Sequence, residues 1–354
     1  MTMRRTIRRV ILASIVIAVS VRPTPATEPR AGKLPTLKVV GRFTLPERAD
    51  RRLVDLRWAG KDSVYLADLT GGVAEARLAD GLPEIRRVAP PALRVGLPVI
   101  RNMAISDKWI VVAHLAKIAW KPVAGGSWRL REKRGYIHEL DIRGDDLVIL
   151  GFPDIETYER APGGIVWQSD LSKGLDHWDV LYESKEVAHD LDVVRLEAAL
   201  GSLRFLQGGG FVVAPNFVPG VLRFSSSGAV KERWSPEELG ASVKEWQGDS
   251  KTEAERVPLK DLRRFLTAQS TIEDVLALRE GPAIVVREPR GNQVRYRLGV
   301  LGAEIQWYEI PVGEVNAMAW LRGDADTKGR IVLAAVERAP TAPGSGDIIV
   351  LQLP

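Results

Sequence analysis

The side chains able to do chemistry in this chain are few: four histidines, no cysteine, ten tryptophans and a scatter of carboxylates over 354 residues. His177 stands near Asp179, and His189 near Asp190 and Asp192. A zinc centre needs about three or four ligands converging on one point, and nothing in this spacing brings them together. Solvated loop histidines are the simpler reading. The missing cysteine removes disulfides, thiolate metal sites, a thiol nucleophile and c-type haem attachment. No HExxH, GxSxG, P-loop or GxGxxG motif occurs, so no catalytic residue, metal ligand or cofactor is predicted. Asp324–Ile331 echoes a calcium loop, yet Lys328 stands where an oxygen ligand belongs and Ala335 replaces the terminal Glu, which makes it a hairpin. Arg143-Gly144-Asp145 and Arg322-Gly323-Asp324 spell an adhesion tripeptide, but at turn positions where Gly and Asp are expected anyway.

Two tryptophans suit binding rather than catalysis. Trp120 and Trp128 lie among Lys117, Lys121, Arg129 and Arg131. An exposed indole beside cations stacks on a sugar ring or anchors a protein partner. A β-ribbon whose indoles pack on each other accounts for the same residues equally well.

The N-terminus supplies an address. MTMRRTIRR is basic, and Val10–Val21 is an apolar run of twelve residues. A spanning helix needs about 20, so residues 1–26 read as a signal peptide and 27–36 as a Pro-containing linker. That predicts a periplasmic or secreted protein with no stable membrane span after cleavage. Residues 1–26 hold five arginines and no acid, so the formal charge of +5 belongs to them and the remainder is neutral. A neutral domain offers no electrostatic ground for nucleic-acid binding.

From residue 37 onward the chain repeats one grammar: apolar run, polar turn, apolar run, gap, third run, Gly turn, charged run. Ser202–Trp234 is the cleanest copy, beside Leu53–Val88, Ile272–Ile310 and Val99–Gly151. Units of this length with four short strands predict an all-β propeller of four-stranded blades. WIVVA, FVVA, AIVV and IVLAAV (within 109–113, 211–214, 283–286 and 331–336) are continuous apolar runs, as expected of strands covered on both faces. Five blades are legible, and a sixth is expected from GIVWQSDL and HWDVLYES within Gly163–Ser184. Val315–Leu321, Arg330–Val336 and Asp347–Leu353 supply only three strands. Leu37–Leu45 is therefore predicted to complete that last blade, with Leu37, Val39, Phe43 and Leu45 on one face.

Val64–Asp68 after a Gly-Lys-Asp turn, and the run MAISDKWIVVA, resemble the NHL-like and six-bladed β-propeller repeats of bacterial exported proteins. That resemblance covers most of residues 37–354 and specifies an architecture rather than a chemistry. With strands lettered A to D outward from the axis, turns A–B and C–D share one end and are short. The long segments 114–134, 235–271 and 337–346 map to the other end, with 152–201 beside the sixth blade. Helical insertions are expected at about 185–201 and 235–271, the second opening on a Ser235-Pro236-Glu237-Glu238 capping box. Insertions gathered at one end of a repeat fold mark a binding surface. The expected function is a non-catalytic exported propeller binding a protein or small ligand there. Two alternatives stand beside it. One is a hydrolase resembling the gluconolactonase-type propellers, which would imply a divalent metal in the axial channel. Asp68 and Asn216 follow second strands near that end, and Asn102 and Asn316 lie near first-strand starts. The other is a structural component of an envelope complex.

Overall fold

A computed structural model describes residues 34–45, 53–60, 62–68, 72–78, 83–89, 100–184, 201–215, 220–240, 270–290, 293–312, 320–336 and 347–354. The predicted signal peptide, most of the linker and the bulk of both helical insertions lie outside them. Within the second insertion, the described residues 236–240 form a turn that carries the reciprocal hydrogen bonds expected of Ser235 and Glu238. Ser235 N–H donates to the Glu238 carboxylate at 2.6 Å, and Glu238 N–H donates to Ser235 Oγ at 3.3 Å.

The described chain is built from antiparallel sheets. Sheet 1 is β2 (Leu53–Gly60), β3 (Ser63–Asp68), β4 (Val73–Arg77) and β5 (Glu84–Ala89). Sheet 2 joins β6 (Asn102–Ile105), β7 (Trp109–Pro122), β8 (Arg129–Arg143), β9 (Asp146–Phe152), β10 (Gly164–Asp170) and β11 (Asp179–Glu183). Sheet 3 is β12 (Ser202–Phe205), β13 (Phe211–Ala214), β14 (Val221–Phe224) and β15 (Val230–Trp234). Sheet 4 is β16 (Thr271–Leu278), β17 (Gly281–Arg290), β18 (Gln293–Val300) and β19 (Gln306–Glu309). Sheet 5 runs β20 (Trp320–Ala325), β21 (Arg330–Val336), β22 (Asp347–Gln352) and then β1 (Lys38–Thr44). The first strands β2, β6, β8, β12, β16 and β20 each touch the next, and β20 touches β2, so they enclose an axis. This is an all-β propeller.

The continuous apolar runs are covered on both faces, as their composition requires. Ile331 and Leu333 of β21 pack into a cluster with Leu278, Tyr296 and Leu298 of sheet 4. Val332, Ala334 and Val336, the alternate residues, pack on the other side with Leu53, Leu56 and Val64 of sheet 1. Each sheet is sandwiched between its neighbours, and burial of such branched side chains contributes about 1.5–3 kcal/mol apiece.

The chain ends share one sheet. β1 pairs antiparallel with β22 from Lys38↔Gln352 to Thr44↔Asp347, and Thr44 Oγ1 donates to Asp347 Oδ1 at 2.8 Å. Leu37 N–H donates to Glu309 O at 3.0 Å and Glu309 N–H to Pro35 O at 2.9 Å, so the same segment also stitches the edge of sheet 4. The expected single apolar face of β1 is corrected. The register shifts between Val39 and Gly41, leaving Val40 as an extra residue. Leu37 then joins the cluster between sheets 4 and 5, whereas Phe43 and Leu45 join the one between sheets 5 and 1. Val39 is 36 % exposed. A bulge inverts the facing of everything beyond it.

Residues 117–122 and 129–134 are strand, joined by a turn at 123–128, which corrects the expected long loop at 114–134. β7 is one run of strand, but Val123 N–H donates to Lys108 O at 2.8 Å. A straight strand of that length spans roughly 45 Å, so β7 turns back on itself. Val111 and Ala113 share a cluster with Ile118 and Trp120, and Ile110 and Val112 share another with Ala119. That places the reversal near His114–Lys117. β8 likewise has two halves: residues 129–132 pair with β7, and residues 139–143 pair with β9.

Candidate functional site: the axial ion cluster and the long-loop end

Charged residues interrupt the apolar first strands, and they meet on the axis. β2 carries Asp55 and Arg57, β8 carries Glu139 and Asp141, β12 carries Ser202 and Arg204, β16 carries Asp274, and β20 carries Arg322 and Asp324. In β2, β8 and β16 the register shifts at Leu53/Asp55, Ile137/Glu139 and Ile272/Asp274. In each case one extra residue (Val54, His138 or Glu273) is followed directly by the acid. These bulges aim three carboxylates inward.

Glu139, with no exposed surface, is the hub. It contacts Arg57 at 3.2 Å, Arg204 at 3.4 Å and Arg322 at 2.6 Å. Asp55 pairs with Arg57 at 2.6 Å, and Asp274 with Arg204 at 3.2 Å and Arg322 at 3.5 Å. A buried charge is tolerated only when paired and hydrogen-bonded, and here each guanidinium touches at least two carboxylates. Burial would raise Asp274, but Arg204, Arg322 and the Ser202 hydroxyl outweigh it and hold the group below the usual carboxylate range. Asp141 differs: burial dominates, Arg57 and Arg204 offset it only in part, and its pKa is pushed up to about 6.

The same acids clasp neighbouring first strands. Asp55 accepts from Leu56 N–H (2.9 Å) and across the seam from Met103 N–H (2.8 Å). Asp141 accepts from Ile142 (2.9 Å) and Phe205 (2.7 Å), Asp274 from Val275 (2.9 Å) and Gly323 (2.8 Å), and Asp324 from Ala325 (2.9 Å) and Trp58 (2.7 Å). Ser202 Oγ takes the corresponding place by accepting from Val275 N–H at 3.0 Å. At five seams a first-strand amide thus finds its acceptor on the first strand before it.

A divalent ion held by axial carboxylates does not fit these residues. Asp55, Glu139 and Asp274 already face guanidinium groups, while Asp141 and Asp324 spend both oxygens on backbone N–H groups. No group of three or more His, Asp or Glu among the described residues is arranged to hold a metal. The cluster was not found by sequence reasoning. Its signal was there as acids and arginines inside apolar strands (LVDLR, ELDIR, SLRF, IEDVL), a pattern that a solvent-free strand tolerates only with partners.

Of the four predicted binding residues, Trp120, Trp128 and Asp68 are described, and each is engaged in its own local surroundings. Trp120 is 6 % exposed and packs in the core beside Ile118 and Phe152. Of its expected cationic neighbours, Arg131 is buried against Asp154 and stacks 5.6 Å over Trp178, and Lys117 pairs with Glu132 at 2.6 Å. Trp128 is half-buried against a cluster containing Val54, Ile100 and Ile110. It lies in the turn after Val123, whose bond to Lys108 places that turn at the A–B end, opposite the long connections. Asp68 closes its own turn, accepting from Gly72 N–H at 3.1 Å while its own N–H donates to Gly72 O at 3.0 Å. Asn216, His189 and Asn316 lie outside the described residues. Asn102 is buried on β6. His177 and Asp179 are exposed, 3.1 Å apart. Asp145 is held by Lys108 and Trp109, and Arg322 is buried in the axis, so neither adhesion tripeptide is presented.

No protein-family model matches the sequence, and no curated protein matches it. Solved structures show the fold. The WD40 repeats of RRP9 superpose with a TM-score of 0.51 at 11 % identity, covering 91 % of this chain and 100 % of that one. YCF48 bound to D1 peptide gives 0.48 at 11 % identity over 91 % and 100 %, and streptogramin B lyase gives 0.49 at 9 % over 89 % and 97 %. Likeness at this identity establishes the propeller and nothing finer.

Proposed function

We propose that this chain is an exported, non-catalytic, six-bladed propeller that binds a protein or ligand through the end bearing its long connections. Six blades follow if β7 supplies the second and third strands of one blade, and β8 the fourth strand of that blade and the first of the next. The six first strands around the axis support this count. One observation carries the functional reading: the axis is filled by paired charges, while the long connections all leave from one end. The segments 90–101, 184–201, 235–270, 310–319 and 337–346 join strands there, as does 153–163 with its short helix Ile155–Arg160. At the other end Ser106–Trp109, Ser225–Gly228 and Asp326–Gly329 are tight turns closed by their own backbone hydrogen bonds. Long loops on a rigid ring are where binding surfaces are built. Trp128, in the turn at the A–B end, and Asp68, which closes its own turn, are not its centre.

The test is affinity capture from the native extract with quantitative mass spectrometry, comparing the full chain with one whose residues 241–269 are replaced by a Gly-Ser linker. The reading expects one or more specific partners to be lost with the segment. An unchanged set of partners removes the case for this end.

A further inference from the structure

Asp141 is the odd member of the axis. Four carboxylates (Asp55, Glu139, Asp141 and Asp274) are buried there against three guanidinium groups (Arg57, Arg204 and Arg322). The other three acids each have a guanidinium within ion-pair distance, whereas Asp141 is held only by the backbone N–H groups of Ile142 and Phe205. The surplus negative charge therefore rests on the one of these four carboxylates with no guanidinium in ion-pair distance, and both of its oxygens are already committed as acceptors. We propose that Asp141 is a proton-operated clasp between β8 and β12: taking up one proton neutralises the axis and releases the Phe205 amide.

The chemistry follows from donor and acceptor counting. A carboxylate oxygen that gains a hydrogen becomes a donor, and it then faces another donor at 2.7–2.9 Å. One of the two N–H bonds must go. The bond to Ile142 closes a small ring within one strand and is fixed by that strand's geometry. The bond to Phe205 joins separate strands and can open. The charged groups facing Asp141 are Arg57 from β2 and Arg204 from β12, which favour the anion. Asp55 of β2, Glu139 of β8 and Asp274 of β16 share the same cluster, with Arg322 of β20 completing it, and the three acids favour the proton. Burial raises the midpoint to about 6, inside the range an exported protein meets. Phe205 is the last residue of β12, beside the Leu206–Gly210 turn, so the clasp lies toward the tight-turn end of the ring.

The experiment is amide hydrogen exchange by NMR on the full chain between pH 5 and 7.5, corrected for intrinsic rates. Protection of the Phe205 amide is expected to fall at least fivefold as pH drops through about 6, while Val275 and Gly323, clasped by Ser202 and Asp274, stay constant. The Asp141 side-chain carboxyl carbon is expected to titrate with the same midpoint. Asp141→Asn, an isosteric mimic of the neutral acid, should hold Phe205 in the less protected state at every pH. Flat protection of Phe205 in the unaltered protein, or a pH response that survives in Asp141→Asn, overturns the proposal. The wild-type measurement stands whether or not the variant folds.

Discussion

The carboxylate of Asp324 accepts the backbone N–H of Trp58 at 2.7 Å, across the seam where the last first-strand of the propeller meets the earliest. Asp55, Asp141 and Asp274 repeat that contact at other seams, each accepting from its own following amide and from the next strand. Without disulfides, the ring is closed at its outside by β1 on β22 and at its inside by these carboxylates. The outer closure is a ladder of backbone bonds, and the inner one converts buried charge into strand-to-strand register.

If Glu139 is the hub, its loss leaves three guanidinium groups buried with too few partners. Removing one member of a buried ionic cluster costs about 3–5 kcal/mol. Glu139→Gln is therefore expected to lower stability by that amount in urea unfolding. Asp141→Asn removes surplus negative charge instead and loses one weak bond. Its stability at pH 7 is expected to be unchanged or higher, by at most about 3 kcal/mol for a shift of roughly two pKa units. Equal losses in the two variants would contradict the hub.

The two acids also set opposite pH dependences. Asp141 has a native pKa of about 6, above the ordinary 3.8, so between those values the folded state binds more protons than the unfolded chain. Its unfavourable contribution is relieved as pH falls from 7 toward about 4. Asp274 is held below the ordinary range, so its stabilisation is present above that range and disappears as pH falls through its native pKa. Asp154, kept low by the Thr157 N–H and Arg131, behaves like Asp274. Urea midpoints from pH 3 to 8 should pass through a maximum near pH 4–5, at about the ordinary carboxylate pKa, where the two trends cross. In Asp141→Asn the rise from pH 7 should flatten.

The architecture was legible because packing dictates composition. Ile331–Val336 is apolar at every position, and a strand like that needs cover on both faces. The pairing of residues 37–45 with 347–353 was legible for a related reason, since three terminal strands left one place to fill. Local deviations were not. Val40 carries no mark of a bulge, so the alternation of β1 read as unbroken. The reversal near His114–Lys117 has neither Gly nor Pro, so a blade strand read as a loop. The axial cluster was missed because facing is a tertiary property. Asp55 and Arg57 sit in the same short-range pattern as an exposed alternating strand, and only the closed ring turns them inward.

Backbone geometry gives a further check. Gly220 has φ of +78°, and a Cβ there would stand 1.6 Å from the Trp234 carbonyl oxygen. The obstruction is the backbone of β15, which cannot move without breaking its pairing with β14. Gly144 has φ of +61° but open space around it. Gly144→Ala is expected to cost only the left-handed strain of about 1–2 kcal/mol. Gly220→Ala should cost clearly more and weaken protection of the Val221 and Trp234 amides, measured by urea unfolding and hydrogen exchange.

The start of β1 makes a sharper prediction, because burial there separates residues that a regular alternation would treat alike. Leu37 and Val39 are two positions apart, and simple alternation puts both in the core. The structure puts Leu37, 2 % exposed, between sheets 4 and 5 beside Leu278 and Leu351, and leaves Val39 at the surface. Truncating a buried leucine costs about 2–5 kcal/mol through lost transfer energy and the cavity left behind. Surface truncations away from special features stay within about 0.5 kcal/mol. Leu37→Ala is thus expected to lower the urea midpoint strongly and to expose the β22 edge, seen as faster exchange of the Ile349 and Leu351 amides. Val39→Ala should leave both readings nearly unchanged. Comparable losses in the two variants would mean that Val39 is as buried as Leu37, contrary to the structure.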